Sequence, residues 1–375
     1  WYFGLQAGLD FSTSPPTALT SGAVNTIEGV ATVCDNNGNL LFYTDGITVY
    51  NANHVIMANG SGLFSNTSST QGVVTIKQPG NSNIYYIFTV YTGTNGACYS
   101  VVDMSLAAGL GSVTVLNAPM YNFTCEKQVA VRHCNGRDAW IISHEFFSNN
   151  FRAYLLTDQG LNLTPVISAA GETYTGTAGY RAPAIGHMKI SPDGKKLAVA
   201  TVSNSIPSSF ALGGFHLFDF DAATGIVSNS LTLSNIPLAY GLEFSPDGSK
   251  LYGVTSGQSN PPEATVLQWD ICAGTSTAII NSQYTFTIGV IAGSLQRAID
   301  GKIYLAQTIQ QNISVINNPN ASGAAMNFSF NAINLSPKMS GLGFPNYINS
   351  YTKPVPSPFT SALACQTASF AIPPA

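Results

Sequence analysis

Ionisable residues are scarce in this chain, so those that the sequence pattern brings together carry weight. Glu28, Gln71, Glu126, Lys127, His187 and Tyr240 each stand at the entrance to a β-rich run, while Asp45, Tyr91, His144, Glu145, Ser203 and Gln258 fall in loops that follow such runs. Carboxylates, imidazoles and an ammonium on one rim could hold a polar ligand by hydrogen bonds, or support hydrolysis through paired acids. Arg181, Arg132 and Arg297 add fork-shaped donors suited to carboxylates. The candidate ligand-binding set is Glu28, Asp45, Glu126, His144, Glu145, Arg181, His187 and Tyr240. Plainer roles compete with it. Asp45-Gly46 has the chemistry of a tight turn, His187 after Gly186 that of a hydrogen-bonded structural histidine, and His144-Glu145 lacks the helical H-E-x-x-H context of a zinc site. Asp35-Asn-Asn-Gly-Asn39 has too few spaced acids for a calcium loop and is a turn. No nucleophile elbow, Walker loop or dinucleotide fingerprint occurs, so no catalytic or metal-binding residue is assigned. No cofactor is expected; the rim acids would admit calcium, but no motif calls for it.

The elements that must position these residues are strands. Only 9% of the 375 residues are charged, against a usual level of about 25%. With 14 basic against 18 acidic residues, a nucleic-acid surface is excluded. The 20 Phe, 17 Tyr and 3 Trp exclude a disordered chain. Long amphipathic helices need the Glu, Lys and Arg that are missing, and no run of about 18 apolar residues could span a membrane. Asn, Ser, Thr, Gly and Pro take the place of charge, which favours an extracellular setting.

A repeat organises the strands. Ile190-Ser-Pro-Asp-Gly-Lys-Lys-Leu-Ala-Val-Ala200 matches Phe244-Ser-Pro-Asp-Gly-Ser-Lys-Leu-Tyr-Gly-Val254, with weaker relatives around Gly38, Gly80, Gly136 and Gly301. Each is a glycine turn followed by a β-rich run, the signature of a hairpin. The spacing between successive turn glycines is 42, 56, 58, 54 and 53 residues, room for four short strands and their turns. In the fifth unit the strands are expected at 241–245, 250–255, 265–271 and 283–287. The fold class is therefore all-β, a seven-bladed β-propeller. Six blades carry the six turns. The seventh joins Gly341-Leu-Gly-Phe-Pro-Asn-Tyr-Ile348 to N-terminal strands within Trp1–Thr20, which closes the ring and protects open edges. The domain reading is 1–351 propeller, 352–362 Pro-rich linker and 363–375 the first strand of a further, truncated β domain, which the family resemblance given below implies to be immunoglobulin-like. Cys125 and Cys134 flank one strand-and-turn unit and are expected to form a disulfide; Cys34, Cys98, Cys272 and Cys365 allow three pairings.

Several motifs in order resemble a known family. Trp1-Tyr-Phe-Gly4, Ala7-Gly-Leu-Asp-Phe11, Asn36-Asn-Gly-Asn-Leu-Leu-Phe-Tyr-Thr-Asp-Gly46, His133-Cys-Asn-Gly-Arg137, Gln268-Trp-Asp-Ile-Cys272 and Val315-Ile-Asn-Asn-Pro-Asn-Ala321 resemble the N-terminal domain of large Bacteroidetes surface proteins. The likeness runs from Trp1 to about Tyr351. It implies immunoglobulin-like repeats downstream, a gliding-motility-type C-terminal sorting domain absent from this sequence, and export by the type IX secretion machinery to the cell surface. Val30 and Met326 stand where that family often has Cys, and the family supplies no catalytic residues to transfer. The function expected is extracellular recognition or adhesion, with a surface polysaccharide or a protein as ligand. A structural head that assembles with itself or its neighbours is one alternative. A polysaccharide-acting propeller enzyme using Glu145, His144, His187 and Arg181 is the other.

Overall fold

β-branched and aromatic runs such as Leu40-Leu-Phe-Tyr-Thr44 and Ile84-Tyr-Tyr-Ile-Phe-Thr-Val-Tyr91 form strands because their side chains suit a pleated, packed surface. A computed structural model describes residues 1–92, 96–174, 182–203, 213–259 and 261–348, with the strand backbone at 362–363 and 366–367. The described chain is all-β apart from short helical turns such as α1 (Ser276–Asn281), capped by the Thr275 side chain.

β1 (Tyr2–Phe3), β2 (Ala7–Asp10) and β3 (Thr17–Leu19) make a three-stranded antiparallel sheet. β4 (Ala31–Cys34), β5 (Leu40–Thr44), β6 (Thr48–Asn51) and β7 (Ile56–Ser61) form an antiparallel meander, as do β8 (Val73–Lys77), β9 (Ile84–Tyr91), β10 (Gly96–Asp103) and β11 (Ser112–Tyr121). One parallel bridge, Ala58 to Ser112, joins β7 and β11, so the two meanders count as a single eight-stranded sheet. β12 (Thr124–Arg132), β13 (Ala139–Glu145) and β14 (Asn150–Thr157) follow, and β15 (Gly160–Leu161) and β16 (Val166–Ala169) both pair with β14. Three four-stranded meanders complete the order. They are β17 (Met188–Ile190), β18 (Lys196–Thr201), β19 (Gly214–Asp221) and β20 (Ile226–Ser234); β21 (Ala239–Phe244), β22 (Lys250–Thr255), β23 (Ala264–Asp270) and β24 (Tyr284–Ile288); and β25 (Ala292–Arg297), β26 (Ile303–Gln307), β27 (Asn312–Ile316) and β28 (Phe328–Asn334). Each of the six turn glycines lies between the first and second strand of its meander, all at positive φ. The expected strands of the fifth unit agree with β21–β24 to within two residues.

The first strands pack in succession: β4 on β8, β8 on β12, β12 on β17, β17 on β21 and β21 on β25. Residues 339–346 complete the circuit between β25 and the 27–30 segment. Ser294 N donates to Leu342 O at 2.6 Å, Leu342 N to Ile27 O at 2.5 Å, and Asn346 N to Val30 O at 2.8 Å. The N-terminal sheet docks outside this segment, with Leu5 N to Met339 O at 2.9 Å and the Phe3 ring edge-on to Phe344. The approach is backbone to backbone, and glycine permits it. A Cβ on Gly343 would stand 2.0 Å from Glu28 O, and one on Gly293 2.1 Å from Leu342 O.

The cores lie between neighbouring sheets. Phe42, Val73 and Ile87 fill one interface, Phe215, Leu242 and Trp269 another, and Tyr2, Tyr43, Tyr304 and Phe344 a third. Strands buried on both faces explain the 45% hydrophobic content in a chain with so few helices.

The expected Cys125–Cys134 disulfide is overturned, since both are reduced thiols. Cys125 opens β12 and Cys134 lies in the turn beyond its far end. An extended strand rises about 3.3 Å per residue, which puts the sulfurs far beyond bridging distance. The 352–361 part of the linker lies outside the described residues. Past it, Ala362–Leu363 pairs with Gln366–Thr367 as a minimal hairpin, and the rest of 363–375, including Cys365, is outside the description.

Candidate functional site

The inner strands converge at their N-terminal ends, and there the polar side chains gather. Tyr240 on β21 donates its hydroxyl to Glu28 Oε1 at 2.8 Å. Thr70 contacts Glu126 Oε2 through its amide (3.2 Å) and its hydroxyl (3.4 Å), and Thr92 donates to Oε1 at 3.3 Å. Each carboxyl group thus accepts from a hydroxyl, Glu28 from Tyr240 and Glu126 from Thr70. Glu28 is buried and its Oε2 has no partner. Burial, then the neighbouring Glu126, push its carboxyl up to about 8, with Tyr240 and Ser68 opposing, so at neutral pH it is a protonated acid. Burial also raises Glu126, though the threonine hydrogen bonds and Lys127 favour its charged form.

His187 lies beside Tyr240, the two rings 5.4 Å apart, and its Nε2 is 3.1 Å from Ser294 Oγ. Nδ1 has no partner. Burial and the charges of Lys189 and Lys127 hold the imidazole well below its usual range, so it is neutral. Lys127 points away from the acids and donates to Pro183 O (3.3 Å), Ile185 O (3.1 Å) and Ala200 O (2.9 Å), with its ammonium 5.0 Å from the Tyr174 ring centre. Burial lowers it to about 8. Gln71 crosses from β8 to β17, with Met188 N donating to its Oε1 at 2.7 Å and its Nε2 donating to Met188 O at 3.0 Å. Gln128 ties Gln71 O and Phe88 O, and Asn346 Nδ2 donates to Gln128 O, which fixes the closing segment to the opposite wall.

The remaining expected residues separate from this group. His144 is buried, stacked on Tyr174 at 4.2 Å and edge-on to Phe151 at 4.5 Å, with Nδ1 2.6 Å from Glu145 O. Burial, then Lys127, push it down to about 3, so it is a neutral core residue. Glu145 is ion-paired with Arg152 and accepts from Asn150 Nδ2 at 2.8 Å. Asp45 closes a turn, its Oδ1 accepting from Ile47 N (2.9 Å) and Thr48 N (2.7 Å). Arg181 lies outside the described residues. The structure therefore brings Glu28, Glu126, His187 and Tyr240 together and leaves His144, Glu145 and Asp45 in local roles.

Sequence reasoning missed Thr70, Gln128 and Ser294, though Thr70 and Gln128 adjoin residues it selected and sit at equivalent strand entrances. It also missed an aromatic pair on this face. Phe123 before β12 and Phe147 after β13 are 61% and 47% exposed, with rings 5.9 Å apart and edge to face. Among the described residues, no three His, Cys, Asp or Glu side chains form a metal-binding set. A cavity of about 760 Å³ lies on the opposite, glycine-turn face and is lined by residues such as His133, Cys134, Lys195 and Asp219. It is remote from the acid pair. The mouth brings together a protonated acid, hydroxyls and a neutral imidazole.

No family model matches the chain, and no curated protein matches it. Among solved structures, hydrazine synthase of Kuenenia stuttgartiensis is 13% identical over 78% of this chain and 77% of its own, with a TM-score of 0.46. A candidate 6-phosphogluconolactonase of Bacteroides fragilis is 14% identical over 76% of each chain, with a TM-score of 0.43. The periplasmic gluconolactonase of Pseudomonas aeruginosa is 13% identical over 72% and 74%, with a TM-score of 0.40. Likeness at this level assigns neither family nor activity.

Proposed function

We propose that residues 1–351 are a seven-bladed β-propeller that serves as a non-catalytic recognition or adhesion head, binding carbohydrate or protein through the face where the inner strands converge. The propeller reading draws on the circuit of first strands from β4 to β25 and on its completion by residues 339–346. The placement at the surface of a Bacteroidetes cell, with export by the type IX machinery, draws on the motif resemblance alone. One observation carries the binding reading. The ionisable residues of the mouth are spent on internal bonds, Glu28 on Tyr240 and Lys127 on three carbonyls, while the exposed side chains there include uncharged Phe123, Phe147 and Ile27. A face of this kind gains affinity by covering apolar area and by hydrogen bonds to neutral groups.

The test is saturable binding of the chain to a polysaccharide and cell-surface panel, with and without calcium. Retained binding after Asp45→Asn is expected, because that side chain serves a local turn. No binding to any member would overturn the reading.

A second reading rests on the two neighbouring acids. Glu28 held protonated beside Glu126 has the form of an acid–base couple, and an enzyme acting on polysaccharide would use it. Turnover abolished in both Glu28→Gln and Glu126→Gln would favour it.

A further inference from the structure

We infer that Phe123 and Phe147 form a carbohydrate platform, an uncharged sugar-binding site on the rim of the converging face; the inference rests on the recognition reading above and gives it a site and a ligand class. Both residues have positive φ, 58° and 67°, a left-handed conformation that bulky L-residues rarely adopt. The backbone is pinned there, with Phe146 N donating to Phe123 O at 2.6 Å and Phe147 N to Tyr174 O at 2.9 Å. Strain of this type persists where surrounding structure enforces it, and it gathers at ligand sites. Here it accompanies two rings turned to solvent, while the neighbouring Phe146 is buried with its ring 4.3 Å from that of Phe147. Tyr174, Phe151 and His144 fill the layer beneath, so the platform rests on packed aromatic core.

The surroundings choose the ligand. Asn122, Ser148 and Asn149 lie within two residues of the phenylalanines in the chain and supply amides and a hydroxyl, Asn149 Nδ2 also donating to Gly171 O at 3.3 Å, and the charges of Glu145 and Arg152 neutralise one another. An aromatic face framed by neutral donors and acceptors fits a sugar ring, with its C–H face on the phenyl groups and its hydroxyls on the amides. Exposed Glu172, two residues before the Tyr174 that accepts from Phe147 N, disfavours an acidic partner.

The experiment measures binding of the whole chain to neutral soluble glycans (xylan, mannan and mixed-linkage β-glucan), with polygalacturonate and a cell-surface protein extract as contrasting arms. Phe123→Asn and Phe147→Asn are compared with wild type, since asparagine tolerates the left-handed backbone. The expected result is neutral-glycan binding by wild type, weakened at least about tenfold in each variant, with the melting temperature unchanged or higher. Glycan binding that persists in both variants would overturn the platform and leave the recognition head standing. Binding only to the protein extract, or only to polygalacturonate, would likewise overturn it. Binding to none of the arms would overturn the platform and the recognition reading together.

Discussion

Glu28 gives the sharpest test of the physical account, because its environment should tie folding to pH. The carboxyl is raised from 4.5 to about 8, chiefly by burial and next by Glu126. An acid with a raised folded-state value holds its proton where the unfolded chain has released it. Its contribution to stability is therefore full below pH 4.5, falls by about 1.4 kcal/mol per pH unit through the interval, and levels off above pH 8. The interval of about 3.5 units corresponds to roughly 5 kcal/mol lost between pH 4.5 and 8. Glu28→Gln removes the titration and keeps an oxygen for the Tyr240 hydroxyl. The variant should equal wild type within about 1 kcal/mol near pH 5 and exceed it by several kcal/mol at pH 8.5. Urea unfolding followed by tryptophan fluorescence at pH 5, 6.5, 7.5 and 8.5 measures the difference, and the other titrating groups largely cancel in the subtraction. Parallel profiles for the two proteins across this range would refute the burial argument and the protonated acid with it.

Three further outcomes follow from the same geometry. Lys127→Met should cost about 2–4 kcal/mol in urea unfolding, because three buried carbonyls lose their shared donor. Gly343→Ala should lower the melting temperature sharply and speed proteolysis of the closing segment, since its Cβ would meet Glu28 O at 2.0 Å; an unchanged melting temperature would show that the segment does not close the ring. Thiol labelling read by mass spectrometry should mark exposed Cys34 and Cys134 in the native protein and reach Cys125 only after denaturation. A disulfide between Cys125 and Cys134 would contradict the strand assignment.

The strand order was legible because hairpins are local. An Asp-Gly or Asn-Gly turn at five of the six repeats, and Pro79-Gly80 at the other, sets a positive-φ glycine between two β-rich runs, and the fifth unit was placed strand by strand from that signal. Short-range chemistry was also legible at Asp45, whose turn-forming side chain followed from its Gly46 neighbour. The candidate site was legible only in part. Glu28, Glu126, His187 and Tyr240 were chosen for their equivalent places at strand entrances, and equivalence in a repeat becomes adjacency when the strands converge. His144 and Glu145 were chosen as residues of a loop on the same rim, yet they end β13, a second strand, and pack outward against Tyr174 and Arg152. The cysteine pairing failed because closeness in sequence is not closeness in space along an extended strand.

By itself the sequence determined the all-β class, the spacing of the strands, the polar uncharged character of the surface and the residues able to reach the mouth. Those properties depend on composition and on contacts a few residues apart. Tertiary structure alone decided which acid would be protonated, because the shift of Glu28 needs burial by strands far away in sequence and the neighbouring Glu126, and it prevails over the opposing hydroxyl of Tyr240, 212 residues distant. It also decided that Lys127 would serve three carbonyls rather than a ligand, and that Phe123 and Phe147 would face solvent while Phe146 did not. Burial and charge belong to the assembled ring, and no window of the sequence contains them.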